Sequence, residues 1–269
     1  MDGKILNIVL AAGMAVLAAT TIVTALSAQK REKQLLSVIE SLKNSPGSEK
    51  TPEASETEPE KKTFTYLALG NSITKHGKCG YWWNECGMAA STAEKDYFHL
   101  VKAHLETEHD NVNATAYNFS AWEITAADRA QTLLTLEGYL SAKPDLITVQ
   151  LSENVTDMTD FSGDFAYMLD WLAEKCPEAE IIVIDEFWNA QKSDIKRGIC
   201  AEKKVAFADL SEIRGKKEYQ SSMGAVVYGD DGQAHTVDHT GVSGHPGDSG
   251  MKYIADKVMS LIGKGAGGK

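Results

Sequence analysis

The chain has 269 residues, 43% hydrophobic and 24% charged, with 22 glycines, six prolines and four cysteines. That is globular composition, which excludes a chain disordered throughout, a collagen and a disulfide-stapled miniature. The formal charge of −11 falls on residues 63–269, because residues 1–62 hold eight basic and eight acidic side chains. A domain that acidic lacks the cationic footprint of a nucleic-acid binder, and nucleic acid is not expected as a partner.

Residues 5–28 carry no charge. As a helix they would span roughly 36 Å, enough to cross a bilayer core of about 30 Å. Cleavable signal peptides have apolar regions of about 7–15 residues, so residues 1–29 are expected to be an uncleaved transmembrane anchor. Lys4 precedes the segment while Lys30, Arg31 and Lys33 follow it. That asymmetry opposes an exported C-terminus, whereas the chemistry read below favours a domain at the cell membrane, single-pass and extracytoplasmic. Leu35, Leu36, Ile39 and Leu42 form one helical stripe, expected as a short juxtamembrane helix. Residues 44–62, rich in Pro, Ser and Glu, read as a solvated stalk. Residues 30–62 thus join the anchor to one domain, residues 63–269.

Within that domain apolar runs alternate with helical patterns. Strands are expected at 64–69, 115–119, 146–151, 181–184 and 205–208, and helices at 97–108, 126–139, 161–175, 193–202 and 248–262. Continuous runs such as Leu-Ile-Thr-Val-Gln-Leu suit strands buried on both faces. The alternation calls for a three-layer α/β/α sandwich around a mostly parallel five-stranded sheet. Chemistry in such folds lies beyond the carboxyl ends of the strands.

After the first strand comes Gly70-Asn71-Ser72, a turn that would lift Ser72 to the sheet edge as a nucleophile or, as is common after a strand, place it as an ordinary helix cap. After the third comes Ser152-Glu153-Asn154, where an amide could donate to an oxyanion or simply cap a turn. Near the C-terminus Gly244-His245-Pro246 sits in a constrained loop, which would hold an imidazole as general base. Gly80-Tyr81-Trp82-Trp83-Asn84 offers rings either to a sugar or to the core, and Trp82, Trp83 and Trp188 are candidates for the cleft; Trp122 suits the core better. Asp185 and Glu186 read as cleft rim. Cys79 and Cys86 bracket the aromatic loop, and either stay free thiols or, in an exported domain, form a bridge. No Cys/His cluster has zinc spacing, and neither metal nor cofactor is expected.

Gly-Asn-Ser after strand one, Glu-Asn after strand three and His-Pro before the last helix together resemble the SGNH (GDSL-like) hydrolase superfamily over roughly residues 63–262. The resemblance implies a flavodoxin-like fold, Ser72 as nucleophile, Asn154 as oxyanion donor and His245 as base. Asn71 stands where that family more often has Asp, and Ser152 where it has Gly. The second oxyanion donor, usually a Gly N–H, falls in Ser120-Ala121-Trp122-Glu123, with Ala121 or Trp122 supplying it. Together with Gly87-Met88-Ala89-Ala90-Ser91 and Lys95-Asp96-Tyr97, the Trp122-Glu123 pair further resembles a branch found beside carbohydrate-active enzymes; Asn71, Glu123 and Glu153 are substrate-binding candidates. The family's Asp three residues before the His is Val242 here. That leaves a backbone carbonyl of the 240–243 loop, Asp238 or Asp248 to orient His245, or else a dead site. The resemblance implies a Ser-His esterase removing acyl groups, O-acetyl foremost, from a polysaccharide or glycan. A carbohydrate O-acetyltransferase and a degenerate glycan-binding domain are the alternatives.

Overall fold

Five short apolar runs become five parallel strands. The computed structural model describes residues 62–188 and 190–264. The expected anchor, juxtamembrane helix and stalk lie outside the described residues, apart from Lys62, the last residue of the stalk. Among the described residues no helix is long and apolar enough to cross a membrane. The strands are β1 (Thr63–Gly70), β2 (Asn111–Asn118), β3 (Leu146–Gln150), β4 (Glu180–Ile184) and β5 (Ala206–Ala208), in the order β2-β1-β3-β4-β5. Every residue of β3 is buried, as a strand covered on both faces requires. The edge strand β2 alternates exposed and half-buried positions, and its polar first half, Asn-Val-Asn-Ala, hides it from a search for apolar runs.

The helices are α1 (Tyr97–Glu108), α2 (Ser120–Ile124), α3 (Arg129–Thr132), α4 (Glu137–Leu140), α5 (Phe161–Lys175), α6 (Ser193–Lys203), α7 (Thr240–Ser243) and α8 (Asp248–Met259). Tyr97, Val101 and Leu105 of α1 and Met251, Ile254 and Val258 of α8 join Tyr66, Ala68, Ile182 and Ile184 on one face of the sheet. Phe161, Phe165 and Leu169 of α5 and Ile199 of α6 join Leu67, Leu69, Ile147 and Val149 on the other. The single helix expected over 126–139 is instead α3 and α4 separated and preceded by 3₁₀ turns. Thr132 and Thr135 hydroxyls donate back to the Asp128 and Thr132 carbonyls, a local competition that bends a helix.

A hairpin absent from the sequence reading, β6 (Val226–Tyr228) with β7 (Ala234–Thr236), is antiparallel. Its three-residue strands are too short to show alternation. Val227 and Val237 build a third apolar cluster with Trp82, Cys86, Met88, Ala89 and Val242. The register of the main sheet then sets the site: Gly70 lies opposite Asn118 on one side and Gln150 on the other. The segments starting at residues 71, 119 and 151 therefore leave the sheet along one edge.

Candidate active site

The turn after β1 needs its glycine. A Cβ on Gly70 would lie 1.8 Å from Thr74 Oγ1 and 2.8 Å from the Gln150 carbonyl oxygen. Asn71, fully buried, folds its Oδ1 back to accept from the Ile73 N–H at 3.1 Å. This local bond is one that Asn and Asp side chains make in turns. It leaves Ser72 half-buried at the sheet edge, with a backbone N–H that donates to no acceptor among the described residues. Ser72 Oγ lies 2.7 Å from His245 Nε2, although 173 residues separate them.

His245 is held by its backbone and by apolar packing. Its N–H donates to the Val242 carbonyl at 3.0 Å, and its own carbonyl accepts from the Ser221 N–H at 2.8 Å. The Val242 side chain is fully buried in the third cluster, so the position that carries the family's acid faces hydrocarbon. Trp188 meets the imidazole edge to face, centroids 4.8 Å apart, and its Nε1 donates to the Gly244 carbonyl at 2.7 Å. Both carboxylate candidates for orienting the ring are corrected. Asp238 is exposed and pairs with no group among the described residues. Asp248 accepts from Ser91 N–H, Ser91 Oγ and Lys95 Nζ at 2.7–2.8 Å. Nδ1 of His245 is buried and makes no hydrogen bond; the Gly241 carbonyl favours the charged ring without reaching hydrogen-bond geometry. Burial above all, with the charge of His76 adding to it and the Gly241 carbonyl opposing, pulls the imidazole pKa down to about 4. The ring is therefore neutral at pH 7, and in the tautomer that carries its proton on Nδ1 the Nε2 accepts from the Ser72 hydroxyl.

On the other side of Ser72, Asn154 is exposed, and its Nδ2 donates to Glu123 Oε2 at 2.6 Å. Glu123, 1% exposed, also accepts from Asn71 Nδ2 and from the backbone of Ser152 and Asn154. Ser152 stands at φ +105°, a backbone region that favours glycine. Its hydroxyl donates to Glu186. Beneath it the buried Lys196 donates to the Leu151 and Ile184 carbonyls at 2.9 and 2.8 Å and to Glu186 at 3.2 Å. In α2 the Trp122 N–H donates to the Phe119 carbonyl and is thereby removed as an oxyanion donor. The exposed Ala121 N–H donates to no acceptor among the described residues.

Several expected substrate contacts are buried instead. Asn71 and Glu123 are occupied with each other, and Trp82 is 1% exposed within the third cluster. Glu153 accepts from the Phe187 N–H, and burial together with the neighbouring Glu186 charge raises its pKa well above the ordinary carboxylate range. Glu186 and Asp185 are buried rather than rim residues, Asp185 being paired with Arg214. Trp83 is half-buried and stacked on His235 at 4.4 Å, and Tyr81 on His239 at 4.1 Å. All four cysteines are free, so no bridge joins Cys79 to Cys86. Sequence reasoning missed Glu123 as a buried hub and Trp188 as the brace of His245. The only hint in the sequence was an acid between Trp122 and Ile124 directly after a strand.

No family model and no curated protein matches the chain. Solved structures do match. A protein of Parabacteroides merdae described as a GDSL-like lipase superposes with TM-score 0.50 at 13% identity, over 76% of this chain and 97% of its own. The fold is that of the GDSL-like, or SGNH, hydrolases. A two-domain esterase active on acetylated mannans matches with TM-score 0.47 at 13% identity, over 75% of this chain and 49% of its own. A catalytic mutant of an acetylxylan esterase from Geobacillus stearothermophilus gives 0.45 at 15% identity, over 74% and 94%. In this fold the three blocks read from the sequence meet at one sheet edge, and Val242 stands three residues before His245, where the resemblance implies an acid.

Proposed function

We propose that the domain is a serine esterase that removes acyl groups, O-acetyl foremost, from a glycan. The observation that carries this reading is the 2.7 Å contact between Ser72 Oγ and a neutral His245 Nε2, the pairing a hydroxyl nucleophile needs. Ser72 Oγ attacks the ester carbonyl carbon while its proton passes to Nε2. The carbonyl oxygen becomes the oxyanion, and the Ser72 N–H, the Ala121 N–H and the second N–H of Asn154 Nδ2 are its donors. Collapse breaks the ester C–O bond, and the imidazolium returns its proton to the leaving alcohol. Water, deprotonated by His245, then releases the acid and restores Ser72. The ring is packed edge to face on Trp188 and held by burial and by the backbone bonds of its own residue rather than by a carboxylate, which makes the catalytic pair a dyad.

The glycan reading is supported by the rim. Tyr81 and Trp83 are half-buried rings braced on His239 and His235, flat surfaces on which the C–H face of a sugar packs. The exposed Asn154 and Ala121 leave the acyl site open to a bulky alcohol. In the same reading residues 5–28 anchor the chain and the stalk holds the domain outside the membrane; recovery of the full chain in a membrane fraction tests this. The reaction is tested with the full chain on p-nitrophenyl acetate and on acetylated xylo- and manno-oligosaccharides, beside Ser72→Ala and His245→Ala. Acetate release that both substitutions abolish is expected. Acetyl transfer to an added oligosaccharide in preference to water would make the enzyme a transferase. Oligosaccharide binding unchanged by Ser72→Ala, with no turnover, would overturn the esterase in favour of a binding domain.

A further inference from the structure

Beneath the cleft one buried carboxylate joins three of the segments that build it. Glu123 Oε1 accepts from Asn71 Nδ2 at 3.1 Å, from the Ser152 N–H at 2.6 Å and from the Asn154 N–H at 3.3 Å. Its Oε2 accepts from Asn154 Nδ2 at 2.6 Å. With donors on both oxygens and no acceptor to take a carboxyl proton, the group acts as an acceptor only. We propose that Glu123 is a positioning residue that fixes which end of the Asn154 amide is turned to the reacting carbonyl. The proposal rests on the esterase reading above and deepens it.

An asparagine amide has two orientations of nearly the same shape, differing in whether NH₂ or oxygen occupies a given place. A carboxylate tolerates only the NH₂ beside it. The bond to Oε2 therefore pins Nδ2, uses one of its two hydrogens and leaves the other for the oxyanion. Turned over, Asn154 would present its carbonyl oxygen at the same place, and lone pairs would face developing negative charge. The donor count extends the argument to an isosteric test. In Glu123→Gln the side-chain oxygen is retained at the Oε1 position by three donors. The new NH₂ therefore falls at the Oε2 position, against Asn154 Nδ2. Donor then meets donor, and the only relief is for the Asn154 amide to turn over. The same count explains residue 71. Its Nδ2 supplies one of the three Oε1 donors, and an Asp there would set a second carboxylate against the first.

The test compares the full chain, Glu123→Gln, Asn154→Ala and the double variant on p-nitrophenyl acetate, with Ser72→Ala as background. Losing one oxyanion donor costs about 10²–10³ in kcat. Glu123→Gln should show that loss with KM changed less than about threefold, and the double variant should be no slower than Asn154→Ala by more than about threefold. Retention of kcat in Glu123→Gln, or losses that multiply in the double variant, would overturn the proposal. A second readout needs no turnover and leaves Glu123 in place. In ¹H–¹⁵N spectra of the wild-type chain the Asn154 side-chain pair is identified by its disappearance in Asn154→Ala. One proton of that pair should be displaced downfield and exchange slowly. Two equivalent, fast-exchanging protons would overturn the proposal. A displaced proton in a chain that shows no Ser72-dependent turnover would support the positioning while overturning the esterase reading.

Discussion

The two sides of Ser72 are held by opposite means. On the oxyanion side, Asn154 and Ser152 sit over buried charge: Glu123, Glu186 and Lys196 each engage several backbone or side-chain groups. On the base side His245 rests on Val242, Trp188 and backbone bonds, and its Nδ1 has no hydrogen-bond partner. A charged network is directional and fixes which atom faces where, which suits donors that must point at one oxygen. Apolar packing fixes a ring's plane but not its proton, and leaves the base weak. Among the described residues the buried Glu123 and Glu186 lie under Ser152 and Asn154, and no carboxylate bonds to the imidazole.

Replacing Val242 by Asp is the strongest way to break that contrast. The side chain would enter the Trp82–Val227–Val237 cluster, and an unpaired polar group there should cost about 3 kcal/mol of stability, read by chemical denaturation, with no gain in kcat. A rise in kcat would mean that the base side lacks only its acid. Acidification sharpens the same contrast. The folded imidazole titrates at about 4 and the unfolded one at about 6.5. Its contribution to stability is complete above pH 6.5 and is lost as pH falls through about 4, some 3 kcal/mol in all. The acid limb of kcat/KM should fall with the same midpoint near 4, and a midpoint near 6.5 would show a ring open to water. Trp188→Phe keeps an aromatic edge against His245 but removes the bond to Gly244. A loss of about tenfold in kcat is expected, as for about 1.4 kcal/mol of ring positioning, with melting temperature changed by a few degrees at most. Ser152→Gly should have the smallest effect. Relief of the φ +105° backbone offsets loss of the hydroxyl bond to Glu186, and a net change within about 1 kcal/mol is expected.

The sheet was legible because its strands announce themselves. Leu146–Gln150 and Glu180–Ile184 are apolar enough that burial on both faces is the only economical reading. Ser72 and His245 were legible only in combination: a glycine-bounded turn and a proline-bounded loop are each weak alone, and their order and strand context carry the resemblance that implies their roles. Glu123 reads in the sequence as a substrate-binding candidate rather than a buried hub because its four donors come from the distant segments at Asn71 and at Ser152–Asn154, and nothing adjacent to it in sequence signals their convergence. Trp82 and Trp83 are neighbours with opposite fates, one covered by the hairpin and the other stacked on His235. That division depends on β6 and β7, whose brevity and Gly229-Asp230-Asp231-Gly232 turn offered no period to count. The exposure of β2 concealed its first half for the opposite reason: a polar edge looks like a loop.

The third cluster has one more consequence. It is the smallest of the three hydrophobic clusters described, and Val242 ties it directly to the loop carrying the base. Proteins open first where few apolar side chains interlock. Mild heating or low denaturant should therefore swing the hairpin and the His245 loop outward together while the five-stranded sheet stays folded, so that the proposed Ser72-dependent turnover is lost well before the domain melts.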